Sequence, residues 1–218
     1  MTHLILASAS PRRQEFLRLL GIPFRALPTN VDERALPGEL PERLVARVSA
    51  LKAAAAAQQV EGVILAADTV VVLDGRVLGK PRNEDDARRM LLALRNRWHV
   101  VYTAVTVGRA QGGVLEDART VVDAARVHMR AYSDEEIDAY IATGDPLDKA
   151  GAYAIQNVAF RPVDRVDGCR ATVMGLPIAR LLPLLARQGI PLPEDPTRAC
   201  RHIFGACCLD DGEVLGEG

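Results

Sequence analysis

Long apolar runs are missing from this chain: no stretch approaches the about 18 consecutive apolar residues that a membrane-spanning helix needs. The opening MTHLILASASPRR carries a short apolar stretch with its charges after it. A secretory leader has the reverse order and a longer apolar region. Charge of one sign is lacking too. Lys plus Arg number 27 against 28 Asp plus Glu, a net charge of −1. That balance argues against a broadly basic nucleic-acid surface and leaves room only for a local basic pocket. Cysteines are few: Cys169, Cys200, Cys207 and Cys208, with no C-x-x-C pair. Reduced thiols in a cytosolic setting are the default reading. A metal held by Cys200, His202, Cys207 and Cys208 is the less favoured alternative. Internal repeats and a Rossmann-type G-x-G-x-x-G fingerprint are absent. Gly79-Lys80-Pro81 resembles the end of a P-loop, but Gly75 stands one residue too close and Pro81 replaces the required Ser or Thr. A P-loop nucleotidase is therefore excluded.

The remaining composition describes a globular enzyme-sized unit. With 218 residues and 49% hydrophobic residues, the chain can fill one substantial core, divided into two lobes around a cleft. Residues 4–7 read as a short buried strand and Ser8-Ala9-Ser10 as a polar turn. Ser10 is then expected to cap a helix that starts at Pro11, buries Phe16, Leu17 and Leu20, and ends at Gly21. A second helix is expected over 41–59 with Leu44, Val48 and Leu51 on one face. Residues 63–67 and 70–73 read as two buried strands flanking Asp68 and Thr69. Asp74-Gly75 marks a hairpin with 76–78 as the returning strand. Helix over 84–94 and strands over 100–108 and 121–129 follow. Ser133 and Glu136 form a capping-box pattern for a helix through Ile141. A last helix is expected over 176–188, followed by a linker (PLPEDP) and a tail from Thr197. Strands and helices alternate without a clean βαβ repeat, so the expected class is α/β: a mixed β-sheet flanked by helices.

Four places carry chemistry. Ser8, Ser10, Arg12 and Arg13 sit where a helix N-terminus presents free N–H groups, which reads as a phosphate cradle. The plain alternative is a capped helix with solvated arginines, although paired arginines in a first turn oppose the helix dipole. Asp68 stands between two apolar runs, where a carboxylate is costly unless paired, hydrogen-bonded or metal-bound. It either opens a sharp turn or serves as a strand-end carboxylate for metal and substrate. Lys80 either reaches a phosphate from the hairpin or is a solvated lysine. GDPLDKAGAYAIQ, residues 144–156, is a loop of small residues that carries little meaning alone.

In order, LASASPRR (6–13), VDE (31–33), AADTVV (66–71) with GKP (79–81), HVVYTAV (99–105), DKAGAYAIQ (148–156) and MGLP (174–177) resemble the Maf family. The likeness spans residues 1–190, leaving 191–218 as linker and tail. It implies a two-lobed fold akin to the inosine-triphosphate pyrophosphatases, with a nucleotide in the cleft. It implies hydrolysis of a nucleoside triphosphate to monophosphate and pyrophosphate, a divalent cation (Mg²⁺ or Mn²⁺), and cytoplasmic location. Neither nucleic acid nor membrane is an implied partner; a homodimer is. By position, Asp68 matches the proposed proton acceptor and, with Glu33, the metal-holding carboxylates. Arg12, Thr69 and Gln156 match positions tied to base selection. Arg13, Lys52, Glu33 and Lys80 match the triphosphate site. DKAGAYAIQ is similar to the branch that prefers dTTP and UTP. The chain departs from the usual pattern at Asn157-Val158-Ala159 and at Gly168-Cys169-Arg170, where Arg170 adds bulk and charge. A broad-specificity pyrophosphatase, or a non-catalytic nucleotide-binding regulator of septum formation, are the alternatives.

Overall fold

The computed structural model describes residues 3–207. One mixed sheet forms its backbone: β1 (Leu4–Leu6), β2 (Phe24–Ala26), β3 (Gly62–Leu73), β4 (Arg76–Leu78), β5 (Trp98–Gln111), β6 (Val114–Met129) and β7 (Val163–Asp167). The strand order is β2-β1-β3-β5-β6-β7, with β4 also paired to β3. β1 lies parallel to β2 and β3, and every other pairing is antiparallel. Helices α1 (Pro11–Leu19), α2 (Pro41–Ala57), α3 (Glu84–Leu94), α4 (Asp134–Ala142), α5 (Arg170–Met174), α6 (Ile178–Arg187) and α7 (Arg198–Phe204) flank it. Among the described residues no helix is long and apolar enough to cross a membrane.

The sequence expected two strands around Asp68-Thr69. Instead β3 runs unbroken, paired with β5 from Gly62 to Val72. Its other edge is shared. β1 pairs with Val63–Leu65 and β4 with Val71–Leu73, so residues 66–70 have no strand on that side. Asp68 is therefore not at a strand end; it lies mid-strand at a gap in the sheet. A short β1 and a tight Asp74-Gly75 turn, with φ of 50° and 74°, create that gap by stopping each neighbour early.

Alternation along β3 then divides the core. Val63, Leu65 and Ala67 join Phe16, Leu17, Met174 and Leu181 in one cluster. Val71 and Leu73 join Leu91, Leu94, Ile137 and Tyr153 in another. On the opposite face Ile64 and Ala66 pack on Ala53 and Ala56 of α2, and Val70 and Val72 on Leu44, Val45 and Val48. Asp68 and Thr69 interrupt both faces at the boundary. Two lobes and a cleft follow from where two polar residues fall in an otherwise apolar strand.

The other elements follow local signals. α1 begins with Pro11 at its first position and buries Phe16 and Leu17 completely. Ser10 occupies its N-cap but makes no side-chain capping bond. Its amide donates to Ser8 Oγ at 3.2 Å instead, which folds the turn around Ser8. In α2 the buried stripe runs through Leu44, Val45, Val48, Ser49, Lys52, Ala53 and Ala56. Leu51, expected on that stripe, is 42% exposed, because the small residues at 49, 53 and 56 let the helix approach the sheet on their side. The capping box of Ser133 and Glu136 forms as read. Strands β2 and β7 and the short α5 carried no clear periodic signal. Beyond residue 190, α7 packs Ala199 and Cys200 into the first cluster, with Phe204 6.5 Å from the Phe16 ring.

Candidate active site

A cleft of about 370 Å³ opens over the gap in the sheet. Its lining includes all ten residues singled out in the sequence: Ser8, Ser10, Arg12, Arg13, Glu33, Lys52, Asp68, Thr69, Lys80 and Gln156.

Lys52 is the hub of one side. It projects from α2, is only 9% exposed, and its Nζ lies 2.8 Å from Asp68 Oδ1 and 2.8 Å from Glu33 Oε1. The loop that carries Glu33 is held to α2 by Arg47. That guanidinium donates to both carboxylate oxygens of Glu39 at 2.7 Å and to the Arg34 carbonyl at 2.9 Å. Burial raises the Asp68 pKa above its ordinary value, opposed by the charges of Lys52 and Arg13.

Arg13 braces the other face of β3. Its Nε donates to the Gly175 carbonyl at 2.8 Å, Nη1 to Ser8 Oγ at 3.1 Å and Nη2 to Thr69 Oγ1 at 3.0 Å. Burial lowers its pKa to about 10, so it stays cationic near neutrality. The first-turn charge conflict visible in the sequence is thus answered for Arg13 by protein acceptors. Among the described residues Arg12 makes only a long contact, 3.7 Å, to the exposed Asp148, which contributes little. Gly175 explains part of the MGLP motif. Its φ is +99°, and a Cβ there would lie 3.0 Å from Thr69 Oγ1 and 3.4 Å from Arg13 Nε and Nη2. Glycine supplies the left-handed conformation and the room for that bond network.

The opposing wall is the loop of residues 145–156, built from two 3₁₀ turns. Lys149 is pinned there, donating to the Asp145 carbonyl at 2.6 Å and Asp148 Oδ1 at 2.5 Å. The Gly151 amide donates to the Gly79 carbonyl at 3.1 Å, tying this loop to the one bearing Lys80. Tyr153 shares a 2.7 Å hydrogen bond with His99 Nε2. Burial pushes His99 down to about 4. The Gln156 Oε1 and Thr29 Oγ1 atoms are buried without a partner among the described residues, and both residues line the cleft. Such atoms normally find a hydrogen bond, which a ligand in the cleft would provide.

Lys149, Asp148, Thr29 and Tyr153 were not singled out in the sequence. A compositional signal for Lys149 existed. The chain has 24 arginines and only three lysines, Lys52, Lys80 and Lys149, and all three line this cleft. A compact ammonium is not interchangeable with a planar guanidinium, so so skewed a choice marks the places where the smaller charge matters. The departures at Asn157 and Arg170 do not line the cleft. Asn157 staples its own loop, its Oδ1 accepting from the Phe160 amide at 2.8 Å, and Arg170 is exposed.

Among the described residues no group of three or more His, Cys, Asp or Glu side chains is placed to hold a metal; Cys208 lies outside the described residues. The cleft offers a pair, Glu33 and Asp68, gathered around one ammonium.

Comparison with known proteins matches the Maf-like protein family over residues 3–188. The chain is 48% identical over 187 residues to a dTTP/UTP pyrophosphatase of Syntrophomonas wolfei subsp. wolfei, covering 84% of this chain and 96% of that one. It is 44% identical over 214 residues to a dTTP/UTP pyrophosphatase of Thermomicrobium roseum, covering 97% and 95%. Among solved structures, a HAM1 protein from Coxiella burnetii aligns with a TM-score of 0.43 and 16% identity, over 61% of this chain and 75% of that chain. With the family match extending over most of its length and relatives this similar, the chain belongs to the Maf-like protein family.

Proposed function

We propose that this protein hydrolyses nucleoside triphosphates to monophosphate and pyrophosphate in the cytoplasm, with dTTP and UTP preferred. The observation that carries the reading is the pair of carboxylates, Asp68 and Glu33, joined by Lys52 at the floor of a cleft that gathers all three lysines. The printed names of the relatives, dTTP/UTP pyrophosphatase, support the substrate.

A divalent cation fits this donor set. Mg²⁺ and Mn²⁺ prefer hard oxygen ligands, and Mg²⁺ usually takes one or two carboxylates, with substrate phosphates completing the shell. The Lys52 ammonium already bridges the two carboxylates, so the pair is arranged around positive charge. Asp68 and Glu33 would hold the ion, which when bound supplies a polarised phosphoryl group and neutralises developing charge.

The chain's own residues account for the rest. Ser8, Ser10 and the start of α1 present hydroxyls and free backbone N–H groups to phosphate oxygens. Lys80, exposed at the rim, is free to swing onto the pyrophosphate end. Asp68, paired with Lys52, can orient a water and accept its proton. Arg13, locked by three acceptors, contributes a fixed charge that needs no rearrangement as the transition state forms. Gln156 faces the base with an amide that offers both a donor and an acceptor. We assign this activity to residues 1–190 and treat 191–218 as an addition to that domain.

The test is product identity. Purified protein with UTP and Mg²⁺ or Mn²⁺ should release pyrophosphate and UMP, and chelator should abolish the release. Orthophosphate with UDP, at full rate in chelator, overturns the proposal.

A further inference from the structure

Thr69 and Thr103 stand directly opposite each other on β3 and β5. Their hydroxyls are 2.9 Å apart. Thr103 is fully buried, and its Oγ1 lies 2.7 Å from the Thr172 carbonyl oxygen. Proton counting then fixes every direction in this chain of contacts. A carbonyl only accepts, so the single Thr103 proton lies on the line to Thr172. The Thr69–Thr103 contact also needs a proton, and Thr103 has none left, so Thr69 donates. Arg13 Nη2 only donates, and it occupies one lone pair of Thr69 at 3.0 Å. A hydroxyl has one proton and two acceptor sites. What Thr69 retains for a ligand in the cleft is a single lone pair.

The far end of the chain is anchored as well. The Thr172 carbonyl takes a second bond from the Gly175 amide at 3.0 Å. The Thr172 hydroxyl donates to Asp123, which also accepts from Arg180 at 3.3 Å. The near end is held by Arg13, in a space that a Cβ at position 175 would crowd to 3.0 Å from Thr69 Oγ1. The Thr69 hydroxyl cannot turn around without breaking buried bonds.

Gln156 lacks such a hydrogen-bonded anchor. Its Oε1 has no partner among the described residues, so its amide can present either end to a base. A flipped amide serves the exocyclic oxygen of uracil or the exocyclic amine of cytosine equally well. Resting on the pyrophosphatase reading above, we propose that Thr103 is a positioning residue for base choice: by claiming the Thr69 proton it makes Thr69 an acceptor only, suited to the N3–H of uracil and thymine. Cytosine presents an unprotonated N3 there, and two lone pairs face each other. A site built to pair with one hydrogen-bonding pattern rejects the other because its buried polar group is left unpaired.

The experiment measures kcat/KM by pyrophosphate release for UTP, CTP and 3-methyl-UTP, in which the N3 proton is replaced. The proteins are the wild type, Thr103→Val and Thr103→Ser, each checked by thermal melting, with Thr103→Ala as the substitute if the valine variant does not fold. The wild type should favour UTP over CTP and turn over 3-methyl-UTP poorly. In Thr103→Val the Thr69 hydroxyl is released to point its proton at cytosine N3, and the UTP/CTP ratio should fall by about tenfold, the scale of one hydrogen bond. Thr103→Ser, which restores the hydroxyl, should restore the ratio. A purely architectural role would lower both substrates together and leave the ratio unchanged; that result in a folded variant overturns the proposal. So does wild-type turnover of 3-methyl-UTP as fast as UTP. Absence of pyrophosphate from every nucleotide overturns the pyrophosphatase reading itself, and is told apart by the wild-type UTP arm.

Discussion

On the wall of the cleft made by α1, α2 and β3, the buried charged groups are already spoken for. Arg13 spends three nitrogens on protein acceptors, and Lys52 bridges two carboxylates. Among the described residues, on the facing wall Lys80 is exposed and makes no ion pair, while the side-chain Oε1 of Gln156 is buried without a partner. Lys149 is the exception there, clamped by Asp145 and Asp148. The difference follows from the backbones. A strand flanked by two helices fixes its side chains from both faces, whereas a loop of 3₁₀ turns fixes mainly itself. Chemistry that needs preset charge belongs on the first wall; contacts that form only when ligand arrives belong on the second.

The largest break in this comparison should come from Asp68→Asn. The change keeps shape and removes charge, so turnover should fall at least the ~10²-fold typical of losing an acid–base or charge-stabilising group, with melting little changed. Near-normal turnover in the folded variant would take the preset wall out of the chemistry.

Lys52→Met should come next, and its signature is a pH profile. Burial already raises the Asp68 pKa from 3.8, and Lys52 opposes that rise. Without the ammonium the folded-state pKa climbs further, so activity should be lost at a higher pH on acidification than in the wild type. Stability carries the same sign. A carboxylate that binds protons more tightly folded than unfolded stabilises the fold as pH falls from that raised pKa toward 3.8. The variant should therefore recover stability in mildly acidic buffer; an acid limb that stays in place would separate Lys52 from Asp68.

Lys80→Ala tests the adaptable wall. With no ion-pair partner to lose among the described residues, it should leave melting unchanged and raise KM by about tenfold, the loss expected of one charge-assisted phosphate contact. A drop in melting temperature would show that Lys80 is part of the scaffold after all. Gln156→Leu removes the amide. It should flatten the preference among bases more than it lowers activity on the poorest substrate, as read from kcat/KM for dTTP, UTP, ATP and GTP. The smallest effect belongs to Arg170→Ala. Arg170 is exposed and outside the cleft lining, so base preference should stay as in the wild type. A shifted preference would mean that the cleft extends past its present rim.

Much of the architecture was legible residue by residue. Pro11, Asp74-Gly75, and Ser133 with Glu136 act through their immediate neighbours, so the turn and helix starts they signal are where the sequence puts them. α3 has the expected bounds for the same reason, with Asn83 capping its first turn. Short β2 and β7 were invisible because three to five residues carry too little periodicity to stand out. Leu51 was misplaced because period alone cannot tell which of two adjacent stripes meets the sheet.

The sequence by itself determined which residue types the cleft contains, since four of the ordered segments supply nine of its ten expected members, all but Lys52. Their relations were decided elsewhere. Whether Asp68 ends a strand or sits inside one depends on where β1 and β4 stop along β3, and strand register is a long-range property. Whether Arg13 is solvated or locked depends on Gly175, 162 positions away. Thr69 has its proton direction set by Thr103 and, through it, by the carbonyl of Thr172. Short-range steric and capping preferences act between neighbours and can be read along the chain. Burial, charge compensation and the direction of a hydroxyl depend on contacts that exist only once distant segments have packed together.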